Sequence, residues 1–248
     1  VKERSNRLLL YGKGRRGLQE ASAPLNAGNS GTTMRLISGI LAGQKFHSVL
    51  IGDSSLCQRP MKRIIEPLRQ MGANIYGTET NTAPLFIEPV EQLHSIYYNL
   101  PIPSAQVKSA LIFAGLFADG LTTIIENSRT RDHTERMLGL QSATKNGCNI
   151  IEIHSDMKID SKRFFVPGDM SAAAFFLSAG LIVPESNLTI QNVGLNPTRR
   201  GILDIFKTMG GNIQIENERI IEGEPVGDLV VSYSELKSNI DLRGAEVV

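Results

Sequence analysis

Two kinds of apolar run alternate along this chain. Met34 to Ala42, Ala110 to Ala118 and Ala172 to Leu181 are apolar nearly all round, the pattern of helices buried on every side. Each follows a Ser able to cap a helix: Ser30-Gly31-Thr32-Thr33-Met34-Arg35, Ser104-Ala105-Gln106 and Ser171-Ala172-Ala173. A short β-branched stretch follows each: Ser48 to Ile51, Thr122 to Ile125 and Leu188 to Ile190. The second kind of run has a basic start, helical apolar spacing and a Gly-x-Asn-Ile ending. It covers Arg59 to Gly72-Ala73-Asn74-Ile75, Arg131 to Gly147-Cys148-Asn149-Ile150, and Thr198 to Gly210-Gly211-Asn212-Ile213. Each of these predicts a helix closed by Gly and followed by a strand.

The predicted unit is helix, strand, helix, strand, strand, recurring about every 65 to 75 residues from Ser30, Ser104 and Ser171. Such units bury their faces on one another. Their helix starts carry Ser, Thr, Asn, Gln and Arg, where a structural helix needs one cap. Helix N-termini present free N–H groups and a positive dipole end, so several converging on one cleft make an anion site.

Composition narrows the function classes. With 26 Lys+Arg against 25 Asp+Glu there is no whole-molecule field to gather nucleic acid or a membrane surface. Apolar residues at 41% suffice for one large or two modest cores, built from Leu, Ile, Val, Ala and Met because Trp is absent. The longest apolar stretches fall short of the 18 or so residues that span a bilayer. Cys57 and Cys148 form no CxxC pair, so neither a disulfide framework nor a zinc site is indicated, and a reducing, cytoplasmic setting is expected. His47, His94 and His154 lack metal-ligand spacing. No P-loop is present, and the Gly-rich run at Gly12 lacks the strand and helix of a dinucleotide site. Lys13, Arg15 and Arg16 read as a solvated loop. The chain begins at Val1 without a signal-peptide pattern and ends at Ala245-Glu246-Val247-Val248 without a capped element, so both ends are expected to be cut from something longer.

The motifs themselves carry a resemblance. Leu25-Asn26-Ala27-Gly28-Asn29-Ser30-Gly31-Thr32-Thr33-Met34-Arg35, Gly52-Asp53-Ser54-Ser55-Leu56 and Arg59-Pro60-Met61 resemble the signature of the 5-enolpyruvylshikimate-3-phosphate synthases, the 3-phosphoshikimate 1-carboxyvinyltransferases. Ser104-Ala105-Gln106-Val107-Lys108-Ser109-Ala110, Arg131-Asp132-His133-Thr134-Glu135-Arg136, Pro167-Gly168-Asp169-Met170-Ser171 and Gly194-Leu195-Asn196-Pro197-Thr198-Arg199 agree with the same family, in order over nearly the whole chain. The resemblance implies an inside-out α/β barrel of the enolpyruvyl transferase type, built from βαβαββ repeats with helices inside and sheets outward. Residues 1–167 form a nearly complete substrate-binding domain and 168–248 part of a second, the two closing on substrate in the family. The chain then corresponds to the family's middle portion, lacking the opening Lys-Ser segment and the later Asp, Lys-Glu and His-Arg motifs. The catalytic acid and base are therefore unknown in this chain, and uncovered core in the second domain favours association.

The implied reaction joins the 5-hydroxyl of shikimate 3-phosphate to C2 of phosphoenolpyruvate and then eliminates phosphate, with no metal or cofactor. The family is usually monomeric and its partners are these two small molecules. By resemblance Asn29, Gly31, Arg35 and Arg59 bind phosphoenolpyruvate, where the family's inhibitor glyphosate competes near Gly31. Ser104, Ala105, Gln106, Thr130 and Arg131 bind shikimate 3-phosphate. Arg59 offers a planar fork for two oxygens, with Pro60 at the first position of its helix. Arg35 either supports the same anion or pairs with Asp53. Asp132 is expected to cap its helix, leaving His133 a polar bystander, and Asp169 to cap the helix after it. Two other readings stand beside this one: the related enolpyruvyl transferase acting on UDP-N-acetylglucosamine, for which Cys57 sits too close to Arg59, and a ligand-binding module without activity.

Overall fold

The computed structural model describes residues 2–4 and 7–238. The chain end at Ala245 to Val248 lies outside the described residues. Packing divides the chain into two units, the first of residues 1–126 with 142–157 and the second of 127–141 with 158–248.

The first unit opens with an antiparallel pair, β1 (Lys2–Arg4) and β2 (Arg7–Leu9). It then runs through β3 (Leu25–Asn26), α1 (Gly31–Ala42), β4 (Ser48–Ile51), a 3₁₀ turn (Leu56–Gln58), α2 (Lys62–Gln70), β5 (Asn74–Tyr76) and β6 (Leu85–Glu88). A second round follows: β7 (Tyr97–Asn99), α3 (Ala105–Gly115), β8 (Leu121–Glu126), β9 (Ser142–Lys145) and β10 (Cys148–His154). The two rounds build sheets of one design, β3-β4-β6-β5 and β7-β8-β10-β9. In each, the first pair is parallel and the other two antiparallel.

Helices fill the space between these sheets. Val107, Lys108, Ser109, Ala110, Leu111, Ile112, Ala114 and Gly115 of α3 are all buried, which accounts for the apolar run without a polar face. α1 and α3 touch backbone to backbone: a Cβ on Gly39 would fall 2.1 Å from the Ala110 carbonyl oxygen. Glycine at 39 is thus a packing requirement. Lys108 is wholly buried, its Nζ 3.1 Å from Glu126 Oε1, to which Asn149 Nδ2 also donates at 2.8 Å. This pins α3 to β8 and β10, and deleting one partner of such a pair costs about 3–5 kcal/mol.

The second unit holds α4 (His133–Leu138), α5 (Met170–Ile182), β11 (Asn187–Gly194), α6 (Gly201–Thr208), β12 (Asn212–Ile221) and β13 (Glu224–Ser232). Its sheet runs β11-β13-β12, and an isolated parallel bridge sets Gly168 beside Val193 on β11. With that bridge counted as the first strand, the repeat's order is kept a third time. Leu177, Leu181, Val193, Leu203, Leu229 and Val231 make its core.

Several expectations require correction. Gly139, left-handed at φ 70°, closes the middle amphipathic helix, not Gly147. Asn146 and Gly147, both at positive φ, instead form the two-residue turn joining β9 to β10, the conformation an Asn-Gly pair favours. α5 is not buried all round: Phe175 is 79% and Phe176 63% exposed, with Ile182 and Val183 on the same open side. Of the two caps expected for α5, Ser171 does not serve and Asp169 does, accepting from Ser171 N at 3.2 Å. Pro60 precedes α2, which begins at Lys62. The loop is solvated at Lys13 and Arg16, but Arg15 is half-buried and neither arginine is without a partner. Arg15 Nη1 donates to the carbonyls of Leu116 and Ser155, and Arg16 Nη1 to that of Gly43, its guanidinium lying over the Phe117 ring.

Candidate active site

The site in the first unit grows from the first turns of α1 and α3. Ser30 caps α1 by accepting from Thr33 N at 3.1 Å, and Ser104 caps α3 by accepting from Val107 N at 3.4 Å. Four residues below their close contact at Gly39 and Ala110, the helices meet again through Arg35 and Gln106. Equal spacing on both means that they run parallel, so two positive helix ends lie together.

Side chains lock this end. Arg35 Nη1 donates to Gln106 Oε1 at 2.6 Å, and Gln106 Nε2 donates to Thr32 Oγ1 at 2.8 Å. Arg35 is only 5% exposed, and its Nε has no hydrogen-bond partner among the described residues. A buried guanidinium with unused donors is the complement of an anion. Burial, then the positive charges of Arg63 and Arg59, lower its pKa. Three cations therefore bear on one place.

The loop after β4 brings the third group. Arg59 Nη2 donates to Asn29 Oδ1 at 2.7 Å, and Asn29 Nδ2 donates to Asp53 Oδ2 at 2.7 Å. Asp53 thus pairs with Asn29 and not with Arg35, the alternative left open from sequence. Gly31 lies between the two guanidinium groups: a Cβ there would fall 3.0 Å from Arg35 Nη1 and 3.4 Å from Arg59 Nη1. Asn29, Gly31, Arg35, Arg59 and Gln106 are so brought together, and Ser104 and Ala105 begin the helix that carries Gln106. Thr32 and Arg63 were not singled out from sequence. Arg63, in the first turn of α2 and close after Arg59 in sequence, was the available signal.

Thr130 and Arg131 belong to the second unit. There Arg131, His133, Asp169, Ser171, Asn196 and Arg199 line a cavity of about 530 Å³. Desolvation and the Arg199 charge lower the Arg131 pKa, against the opposing effect of Asp169. Arg199 Nη2 is held by Asp169 Oδ1 at 2.6 Å and Ser171 Oγ at 2.7 Å. Asp132 sits at the start of α4 but makes no side-chain cap. Its carboxylate instead accepts from Arg136 Nε at 2.9 Å and buried Asn196 Nδ2 at 2.7 Å, because those donors reach it where the helix N–H groups do not. His133 Nδ1 lies 2.8 Å from Glu224 Oε1. Among the described residues no His, Cys, Asp or Glu group is arranged to hold a metal ion, and no helix is long and apolar enough to cross a membrane.

Comparisons with known proteins agree with this geometry. Residues 1–243 match the family model for EPSP synthase, 3-phosphoshikimate 1-carboxyvinyltransferase. The 3-phosphoshikimate 1-carboxyvinyltransferase of Salinibacter ruber is 50% identical over 239 residues, covering 96% of this chain and 55% of the relative. That of Geobacillus kaustophilus is 48% identical over 240 residues, covering 96% and 56%. The EPSP synthase structure from Acinetobacter baumannii aligns with a TM-score of 0.78 at 46% identity, over 90% of this chain and 50% of that one. The enolpyruvyl transferase NikO from Streptomyces tendae, 11% identical with a TM-score of 0.56 over 79% of this chain and 46% of its own, shares the fold.

Repeated α/β units with inward helices and a cationic pair of helix starts thus define an inside-out α/β protein of the enolpyruvyl transferase type. Within that class, the chain belongs to the EPSP synthase family. It spans about half the length of the relatives it matches.

Proposed function

We propose that this chain is the substrate-binding portion of an enzyme that transfers the enolpyruvyl group of phosphoenolpyruvate to the 5-hydroxyl of shikimate 3-phosphate. The observation that carries this reading is the meeting of Arg35, Arg59 and Gln106 around Gly31 at two parallel helix starts. Phosphoenolpyruvate brings a phosphate and a carboxylate, and grouping such anions out of water demands several cations and oriented donors. Arg59, Arg35, Asn29 and the open space at Gly31 supply them. Ser104, Ala105 and Gln106 suit the phosphate and ring hydroxyls of shikimate 3-phosphate. For Thr130 and Arg131 the proposal rests on the family resemblance alone.

In the transfer, the acceptor hydroxyl gives up its proton as its oxygen bonds to C2 of phosphoenolpyruvate, and C3 gains a proton. The tetrahedral adduct then loses the proton from C3 and expels phosphate, restoring the double bond. This chain's residues bind and orient the anions in those steps, and it is assigned no proton-transfer group. The expected domain division at residue 167 is proposed for the whole enzyme, acting in the cytoplasm as a monomer.

Equilibrium binding of phosphoenolpyruvate to the purified protein tests the assignment. Loss of the Arg59 fork removes a charge-assisted contact, so Arg59→Ala weakens binding roughly tenfold to a hundredfold. Undiminished affinity in a folded Arg59→Ala variant would rule the assignment out.

A further inference from the structure

We propose that Asp53 is a positioning residue for the anion site, aiming the Arg59 guanidinium through the side chain of Asn29. The inference rests on the reading of Arg59 given above and extends it to a residue that has no contact with the guanidinium.

Asp53 is itself fixed on three sides. Its backbone N–H donates to the Gly28 carbonyl at 2.9 Å, its Oδ1 accepts from Leu56 N at 2.8 Å, and its Oδ2 accepts from Asn29 Nδ2 at 2.7 Å. The Leu56 N–H, followed by the Asn29 amide, holds its carboxyl below the ordinary range, so it is an anion at neutral pH. Next in line, Asn29 Oδ1 accepts from Arg59 Nη2 at 2.7 Å.

The order of these groups leaves no freedom in the amide. A carboxylate can only accept and a guanidinium can only donate, so one orientation of Asn29 satisfies both neighbours: NH₂ toward Asp53 and carbonyl toward Arg59. Among the described residues Arg59 makes no ion pair, and the Asn29 oxygen is the acceptor its guanidinium has. Without that acceptor a long, rotamer-rich side chain is free to turn away, and ordering it again on binding costs free energy.

The spacer matters as much as the anion. A carboxylate bonded directly to Arg59 would cancel its charge and compete with an incoming anionic ligand. Set one amide away, Asp53 transmits direction while the guanidinium keeps its charge for the ligand.

Asp53→Asn isolates the relay from the loop. The new side chain can keep its oxygen on Leu56 N, but its NH₂ now faces Asn29. Asn29 must then turn its carbonyl toward residue 53 and its NH₂ toward Arg59, donor against donor, and the guanidinium loses its acceptor. The test combines ¹⁵N–¹H spectra of the Arg59 guanidinium and Asn29 amide, assigned with Arg59→Lys and Asn29→Ala, with titrations of phosphoenolpyruvate and shikimate 3-phosphate. The expected result in Asp53→Asn is a shifted Arg59 signal, phosphoenolpyruvate binding weaker by about tenfold, and shikimate 3-phosphate binding unchanged. An unmoved Arg59 signal, or equal weakening of both ligands, overturns the proposal. A wild-type protein that binds no phosphoenolpyruvate, with an Arg59 signal that still moves in Asp53→Asn, retains the relay and removes the functional reading instead. If Asp53→Asn does not fold, Asn29→Ala leaves the Asp53 cap on Leu56 in place. The Arg59 signal must move there too, and its failure to do so also overturns the relay.

Discussion

Arg35 Nη1 donates to Gln106 Oε1 across 2.6 Å, joining the first turns of α1 and α3. The family resemblance assigns these residues to two different substrates, whereas in the structure they are direct neighbours. A double-mutant cycle with Arg35→Ala and Gln106→Ala is expected to give a coupling of about 0.5–3 kcal/mol in phosphoenolpyruvate binding. Strict additivity would mean that the pair does not work as a unit.

Gly31 is open only as far as two guanidinium tips. A methyl there meets Arg35 Nη1 at 3.0 Å and Arg59 Nη1 at 3.4 Å, both ends of flexible side chains, so the fold tolerates it. Gly31→Ala is expected to leave the thermal midpoint nearly unchanged, since Ala also favours a first helical turn. The narrowed site should lose glyphosate affinity more than phosphoenolpyruvate affinity in competition titrations. Equal losses would contradict this account of the space.

Gly39 differs because what it faces is backbone. A Cβ at 2.1 Å from the Ala110 carbonyl can be relieved only by moving α1 away from α3. Gly39→Ala is expected to destabilise the protein by about 1–3 kcal/mol in urea unfolding despite the better helix propensity of Ala. It should also weaken ligand binding, since Arg35 and Gln106 lie one turn away on the same two helices.

Much of this was legible in the chain because the repeat is written in motifs that each do one local job. Ser30 and Ser104 cap the helices they precede, and the all-apolar runs of α1 and α3 are the buried ones. The misreadings have local physical causes. Asn146-Gly147 is both a plausible helix stop and a hairpin turn, and the shorter-range turn prevailed over a long helix from Arg131. The run in α5 is as rich in Ala, Leu and Phe as that in α3, yet composition cannot say whether a second layer covers Phe175 and Phe176. The site's members were visible as types, but their pairing was not. Asp53 has both Arg35 and Asn29 within reach on paper, and only the fold brings the shorter side chain to it.

Acid should act on the second unit through Asp132. This carboxylate is 6% exposed, and burial alone would raise its pKa. Hydrogen bonds from Arg136 and Asn196, with the charges of Arg136 and Arg129, outweigh burial and hold it below its ordinary value of 3.8. A depressed folded value contributes stability above about pH 4, which is lost as pH falls through the folded value. Asp132→Asn is expected to cost about 1–3 kcal/mol at neutral pH and to flatten the acid limb of the stability curve. Wild-type and variant curves that stay parallel down to pH 3 would assign the acid sensitivity elsewhere.

The central claim is that the paired starts of α1 and α3 form an anion-recognition site. Calorimetric titration of the purified protein with shikimate 3-phosphate, then with phosphoenolpyruvate on the same sample, tests it most directly. The account predicts saturable binding of shikimate 3-phosphate that Gln106→Ala abolishes or weakens at least tenfold, with phosphoenolpyruvate binding that requires Arg59. A well-folded sample that takes up neither ligand, or binds both equally well in the Gln106→Ala and Arg59→Ala variants, would contradict it.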